Sequence, residues 1–383
     1  IGLSPTQQQH HGSNSHRSSR IALFVYGLSN KKMSEEDCSN SVEEKKYTVT
    51  TERCGTINFY VQGDLDQAQK KAVFLTVHDL GSNHTVFHHF IDHPSMAEMK
   101  VRSVFIHVDV PGQGDHAPNF PEDYEFPTMQ TIAEDLVEIL DHLKVSLVVG
   151  LGDGAGANIL ARFGMAHPTR CLGLVLVHAT ATTAGVMEHF KDKIVSWKLG
   201  NIGMNPTAEQ YLVFHKFGGQ LESAENKEKL IQEYTNKLKT NINPRNLRRY
   251  VHAFQNRSDI SGLLEKKLKV ETLLVTGSNA SHQSTVHAMI GKMDKGHSSL
   301  LKIDGVGDVV TEAPDKFAQS LLLFCKGLGL LTSLTMPGVG HRMSGGDADA
   351  LRLGQRRRTI SMEEYDKPNI RRLSITAMQA PPK

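Results

Sequence analysis

The chain has 383 residues, 39% of them hydrophobic and 22% charged, enough apolar material to bury a full core and too much for wholesale disorder. One large domain with additions, or two domains, is expected at this length, and a disulfide-stapled miniature is excluded. Its 43 Lys+Arg against 41 Asp+Glu leave a net charge of +2, a total that gives no support to a nucleic-acid binder.

That total is unevenly spread. Residues 1–45 carry five basic and five acidic side chains, whereas residues 341–383 carry nine against five, so a basic tail follows a near-neutral body. Cys38, Cys54, Cys171 and Cys325 are far apart with no C-x-x-C spacing. Neither a zinc site nor a disulfide framework is expected, and a reducing, cytosolic setting fits. No apolar run approaches the roughly 20 residues of a membrane span. The run 21–28 lacks the flanks of a secretory signal, and because the chain opens on Ile1, a start upstream is expected.

In chain order, residues 1–45 are rich in Gln, His and Ser and are expected to form a disordered leader. Strands are predicted at 47–51, 56–61 and 72–78, the first two as a hairpin around 53–55. A strand at 101–110, a helix with the apolar stripe Ile132, Leu136, Ile139, Leu140 and Leu143, and a strand at 146–150 make a βαβ unit. A helix at 155–166 and a strand at 172–177 continue the alternation. Apolar strands between amphipathic helices imply a mostly parallel sheet covered on both faces. From 185 to 264 the strand signal gives way to charged, helix-favouring sequence, including 223–239 and 244–255, which predicts a helical cap. Strands at 272–277 and 300–304 and a helix at 314–328 complete the pattern. The expected organisation is a core of 46–184 and 265–332, a cap of 185–264 and a disordered basic tail of 333–383.

The segment Val148-Val149-Gly150-Leu151-Gly152-Asp153-Gly154-Ala155-Gly156 runs from a strand through a glycine-rich turn into a helix. It has the form of a nucleophile elbow, G-x-Nuc-x-G, in which small residues permit a strained turn. With Gly150, Gly152 and Gly154 as the three positions, the centre is Gly152, which offers no nucleophile. A dinucleotide fingerprint would place its third glycine at Ala155 or Ala157 and lacks the ribose-binding acid, and a P-loop lacks its Gly-Lys-Ser/Thr. Asp153 is either a carboxylate nucleophile or a cap on the helix N-terminus.

In an α/β-hydrolase fold the acid follows the strand 272–277, where Ser278, Asn279 and Ala280 stand, and the histidine falls in the loop 305–308, where Asp308 stands. Gly152, Ala280 and Asp308 therefore leave all three triad positions vacant. Because a triad works as a unit, no catalysis is expected from it. His282 and His297 are expected to be structural or exposed. The oxyanion hole would draw on the N–H of Asp153 and on the loop His78-Asp79-Leu80-Gly81, where the charges of Asp79 and Asp153 oppose a developing negative charge. The candidate pocket comprises His78, Asp79, Asp153 and Gly154, and Asp109 in Asp109-Val110-Pro111-Gly112 is expected to be structural. No metal or cofactor is expected.

Val77-His78-Asp79-Leu80-Gly81-x-Asn83-His84, His107-Val108-Asp109-Val110-Pro111-Gly112 and Gly150-Leu151-Gly152-Asp153-Gly154-Ala155-Gly156-Ala157-x-Ile159-Leu160-Ala161-Arg162 together resemble the N-myc downstream-regulated (NDRG) family, in an invertebrate-like form. The similarity runs from about residue 47 to 330. It implies an α/β-hydrolase fold without the catalytic residues, acting in cytoplasmic signalling, stress response and differentiation, with a tail that basophilic kinases modify. Asp153 departs from the family, whose familiar members carry an apolar residue there.

In the tail, Arg356-Arg357-Arg358-Thr359-Ile360-Ser361 contains R-x-R-x-x-S and Arg371-Arg372-Leu373-Ser374 contains R-R-x-S. Thr359, Ser361 and Ser374 are the expected phosphorylation sites, and phosphate on both serines would offset the tail's positive charge. The same arginines suit a peripheral contact with anionic lipid. The leading expectation is a non-catalytic protein that acts by binding. The alternatives are a weak hydrolase using Asp153 and a small-molecule receptor using the emptied pocket.

Overall fold

A computed structural model describes residues 44–183, 204, 206–218, 225–281 and 283–335. Apart from their innermost few positions, the leader 1–45 and the tail 333–383, with Thr359, Ser361 and Ser374, lie outside the described residues, as do Cys38 and His282.

Eight strands form one sheet. They are β1 (Lys45–Thr51), β2 (Gly55–Gln62), β3 (Ala72–Val77), β4 (Ser103–Val108), β5 (Val148–Asp153), β6 (Cys171–Val177), β7 (Glu271–Gly277) and β8 (Ser298–Ile303), in the spatial order β1-β2-β4-β3-β5-β6-β7-β8. The predicted hairpin is present, with Thr51 opposite Gly55. β2 pairs antiparallel with β4, and every later pairing is parallel. In β3, β4 and β5 every residue is buried, which is why these strands read as unbroken apolar runs rather than as alternation.

The strands divide their side chains between two buried clusters. Val73, Leu75, Val104, Ile106, Leu174 and Leu176 face α3 (Met129–His142) and α4 (Gly154–Ala166). The alternate residues, among them Phe74, Phe105, Val149 and Val175, face α1 (Val86–Ile91), α2 (Ala97–Val101) and the C-terminal helices.

Between β6 and β7 the chain forms α5 (Pro206–Phe217), α6 (Glu225–Thr240) and α7 (Pro244–Gln255), followed by α8 (Ser261–Lys267). α7 begins where local sequence says it should. The Asn243 side chain accepts from the N–H groups of Arg245 and Asn246, and Pro244 opens the first turn. After β7 come α9 (Gln283–Ile290), α10 (Val309–Glu312) and α11 (Pro314–Gly327). Among the described residues no helix is long and apolar enough to cross a membrane, and Cys54, Cys171 and Cys325 are buried free thiols.

Candidate functional site

The sharp turn does not fall at Gly152. β5 continues through Asp153, three residues beyond the predicted strand, and Gly152 lies inside it, paired with Val77 and Leu176. The left-handed residue is Gly154, at φ +50°, where α4 begins. The elbow is thus Gly152-Asp153-Gly154-Ala155-Gly156, with Gly154 at its centre. Packing explains the displacement. A Cβ on Gly150 would stand 2.7 Å from Leu174 Cδ2, and one on Gly152 would stand 2.8 Å from the backbone of Ala157. The earlier glycines admit α4 against the strand, and only the later one makes the turn.

Gly154 has no room for a side chain either, because a Cβ there would overlap the carboxylate of Asp79. Asp79 follows β3, is buried, and accepts from the N–H of Ala155 at 2.7 Å and from the N–H of Leu80. Ala155 is the residue after the elbow centre and Leu80 belongs to the loop after β3. These are the two donors that would hold an oxyanion in this architecture. The donor expected at Asp153 is therefore Ala155. Asp79 does not oppose an incoming anion from the side: its own carboxylate fills the hole.

The cap supplies the counter-charge. His215 of α5 places Nε2 2.8 Å from Asp79 Oδ2. Burial by itself would raise the Asp79 carboxyl, but His215 and the two N–H groups outweigh it and hold the group down at about 2. A depressed carboxylate contributes stability that is complete above its unfolded value near 4 and lost as pH falls towards 2. From 3.8 to about 2 this contribution is about 2 kcal/mol. His215→Gln is expected to flatten the fall of the urea midpoint between pH 4 and pH 2 relative to the parent chain. An unchanged slope would refute the pairing.

The neighbouring residue, Lys216, is also buried. Its Nζ lies 2.9 Å from Asp308 Oδ2 and 3.5 Å from Asp153 Oδ2. Burial lowers its pKa, but Asp308 and Asp153 outweigh that and raise it, so the ammonium stays charged. Asp153 also faces His178 Nδ1 at 3.2 Å, and although burial works against the imidazolium, this contact raises the His178 pKa. Asp153 makes no side-chain cap to α4, so its expected capping role is replaced by this ionic one. Asp308 holds its own turn, accepting from Val310 N–H at 3.2 Å and Thr311 Oγ1 at 2.7 Å.

α5 ends between the loops that would carry the triad acid and histidine. Gly218, at φ +77°, leaves no space for a Cβ beside the carbonyl of Asn279, next to Ala280, and a Cβ on Gly307, next to Asp308, would overlap the Phe217 carbonyl. Lys227 of α6 pairs with Glu312 of α10 at 3.5 Å. A cavity of about 140 Å³ remains beside Lys216, Phe217 and Tyr234. The pocket expected to be emptied is filled by Asp79, His215 and Lys216.

Of the four candidate pocket residues, Asp79 and Gly154 meet face to face and Asp153 adjoins them through the elbow. His78 turns away: its Nδ1 donates to the Asp79 carbonyl at 2.8 Å, its Nε2 accepts from Val110 N–H at 3.1 Å, and burial lowers its pKa. Asp109 accepts from the backbone and ring of His84, a structural role, and His297 faces Glu271 at 3.2 Å at the surface. Sequence reasoning missed His215, Lys216 and His178. The first two sit on a cap helix with no local motif around them, but the third glycine at 156 was a usable sign that the elbow lies two residues later.

Strand order, crossover helices and the turn between β5 and α4 define an α/β-hydrolase fold. Solved structures agree. An esterase from Thermogutta terrifontis superposes with a TM-score of 0.61 at 18% identity, covering 74% of this chain and 98% of its own. An enol-lactonase from Burkholderia xenovorans LB400 gives 0.57 at 14%, covering 71% and 96%. At those identities the likeness speaks for the fold alone. Residues 47–332 match the model of the Ndr family, and the chain belongs to that family. It is 44% identical to the Caenorhabditis elegans protein ZK1073.1 over 87% of this chain and 96% of the relative. With human NDRG2 it shares 31% identity over 74% of each.

Proposed function

We propose that this chain is a non-catalytic α/β-hydrolase-fold protein that acts by binding, in cytoplasmic signalling, stress response or differentiation. The observation that supports it most is the Asp79 carboxylate, which sits on the N–H groups of Ala155 and Leu80 against a side-chain-free Gly154. A substrate carbonyl has neither a nucleophile to meet nor a donor pair to receive its oxygen. Helix α5 of the cap then serves as a plug on the core, with His215 and Lys216 as its pins. Basophilic kinases act on Thr359, Ser361 and Ser374, and the tail arginines touch anionic lipid when these sites are unmodified.

Asp153 supports a second reading, as a carboxylate nucleophile beside His178. Both are tested on the purified chain with chromogenic esters, amides and haloalkanes and with a fluorophosphonate probe. No turnover and no labelling are expected. Turnover abolished by Asp153→Asn would replace the first reading by the second. For the tail, phosphopeptide mapping of the cellular protein is expected to find Ser361 and Ser374 occupied under stress, and their absence in every condition would remove that part.

A further inference from the structure

A cleft of about 710 Å³ lies between α7 and the loop 122–128, lined by residues that take no part in the ionic site. Its helix wall is cationic through Arg245 and Arg248, exposed at i and i+3 on the stripe of α7 that His252 continues at i+7. The loop wall is anionic, with Glu122 and Glu125 exposed. Among the described residues, neither the Arg245 nor the Arg248 side chain is engaged in an ion pair. Arg249 fixes the walls in place by donating to the carbonyls of Tyr124 and Pro121, with its guanidinium 5.8 Å from the ring centres of Phe120 and Tyr124.

One segment of this chain has the matching pattern. Arg356-Arg357-Arg358-Thr359-Ile360-Ser361-Met362-Glu363-Glu364-Tyr365-Asp366 is cationic in its first third and anionic in its last, with Ile360 and Met362 between them. Phosphate on Ser361, at the middle of the segment, would add about −1.5 to −2 at the start of the half that suits the arginine wall, where guanidinium forks bind phosphate oxygens. Reach is ample. The chain from Thr335 to Ser361 spans at most about 94 Å, against a radius of gyration of about 19 Å for a folded unit of this length.

We propose that the cleft between α7 and the loop 122–128 is an intramolecular dock for tail residues 356–366 bearing phosphate on Ser361. The proposal rests on the tail-phosphorylation part of the function proposed above. In that state the arginines at 356–358 face Glu122 and Glu125, the phosphate and Glu363 face Arg245 and Arg248, and the basic tail is withdrawn from other anions.

The test uses the full chain carrying Ser361→Ala, so that its own tail takes no phosphate there, and a fluorescent synthetic peptide of residues 354–368 with or without phosphate on Ser361. Anisotropy is expected to show the phosphopeptide binding roughly tenfold more tightly. Arg245→Glu with Arg248→Glu is expected to abolish that preference, and Glu122→Lys with Glu125→Lys to weaken both peptides. Equal affinity of the two peptides, or a preference that survives the arginine reversals, would overturn the dock. All four substituted positions are exposed, and unchanged thermal midpoints would show that the fold is retained. Because the peptide is phosphorylated by synthesis, its failure to bind strikes the dock alone, whereas absence of phosphate in the cellular protein strikes the modification.

Discussion

Lys216→Met is expected to lose about 3–5 kcal/mol of stability, the usual cost of removing one partner from a buried ionic group. Asp308 and Asp153, both buried, would then lack the ammonium that lies 2.9 Å and 3.5 Å from them. Urea unfolding at pH 7 measures the loss. Pairing Lys216→Met with Asp308→Asn should cost clearly less than the sum of the single changes, as expected for directly coupled groups. Strict additivity would mean that Lys216 does not anchor the cap through these carboxylates.

Gly154→Ser restores a hydroxyl at the centre of the elbow, yet the expected result is destabilisation by about 2–5 kcal/mol without esterase activity. Two costs combine: a side chain at φ +50°, worth about 1–2 kcal/mol, and overlap with the Asp79 carboxylate, worth about 1–3 kcal/mol. Adding Asp79→Gly should recover the second cost while leaving His215 and the N–H groups of Ala155 and Leu80 without their acceptor. Chemical unfolding of the single and double variants, with ester turnover measured in parallel, checks this. A fully stable Gly154→Ser chain would show that the carboxylate does not occupy the place assigned to it, and an active one would show that the plug is no barrier to catalysis.

These two expectations depend on groups that differ in how far local sequence revealed them. The β1–β2 hairpin, the parallel strands and the bounds of α7 were legible because their causes are local: turn residues, apolar runs, and an Asn243-Pro244 start. A glycine at the elbow centre was legible as well, since both glycine-centred registers, at Gly152 and at Gly154, place no side chain there. The register itself was not. Where β5 ends depends on whether Gly150 and Gly152 lie against Leu174 and Ala157, residues that join the elbow only when α4 and β6 pack.

The ionic site shows the same division more sharply. Asp79, Asp153 and Asp308 are visible in the sequence as carboxylates near catalytic addresses, where they read as vacancies or as charges opposing an oxyanion. Their partners, His215 and Lys216, are 136 and 63 residues away from Asp79 and Asp153, in a segment whose local pattern says only that it is helical. Periodicity therefore pointed to a mostly parallel sheet covered by helices, because burial and secondary structure are encoded over a few neighbouring residues. Whether the vacated centre stays open or closed is a question of charge pairing across the chain. Only the docking of α5 onto the loops after β3, β5 and β8 answers it, by burying three carboxylates that would be intolerable there without the imidazole and ammonium it carries.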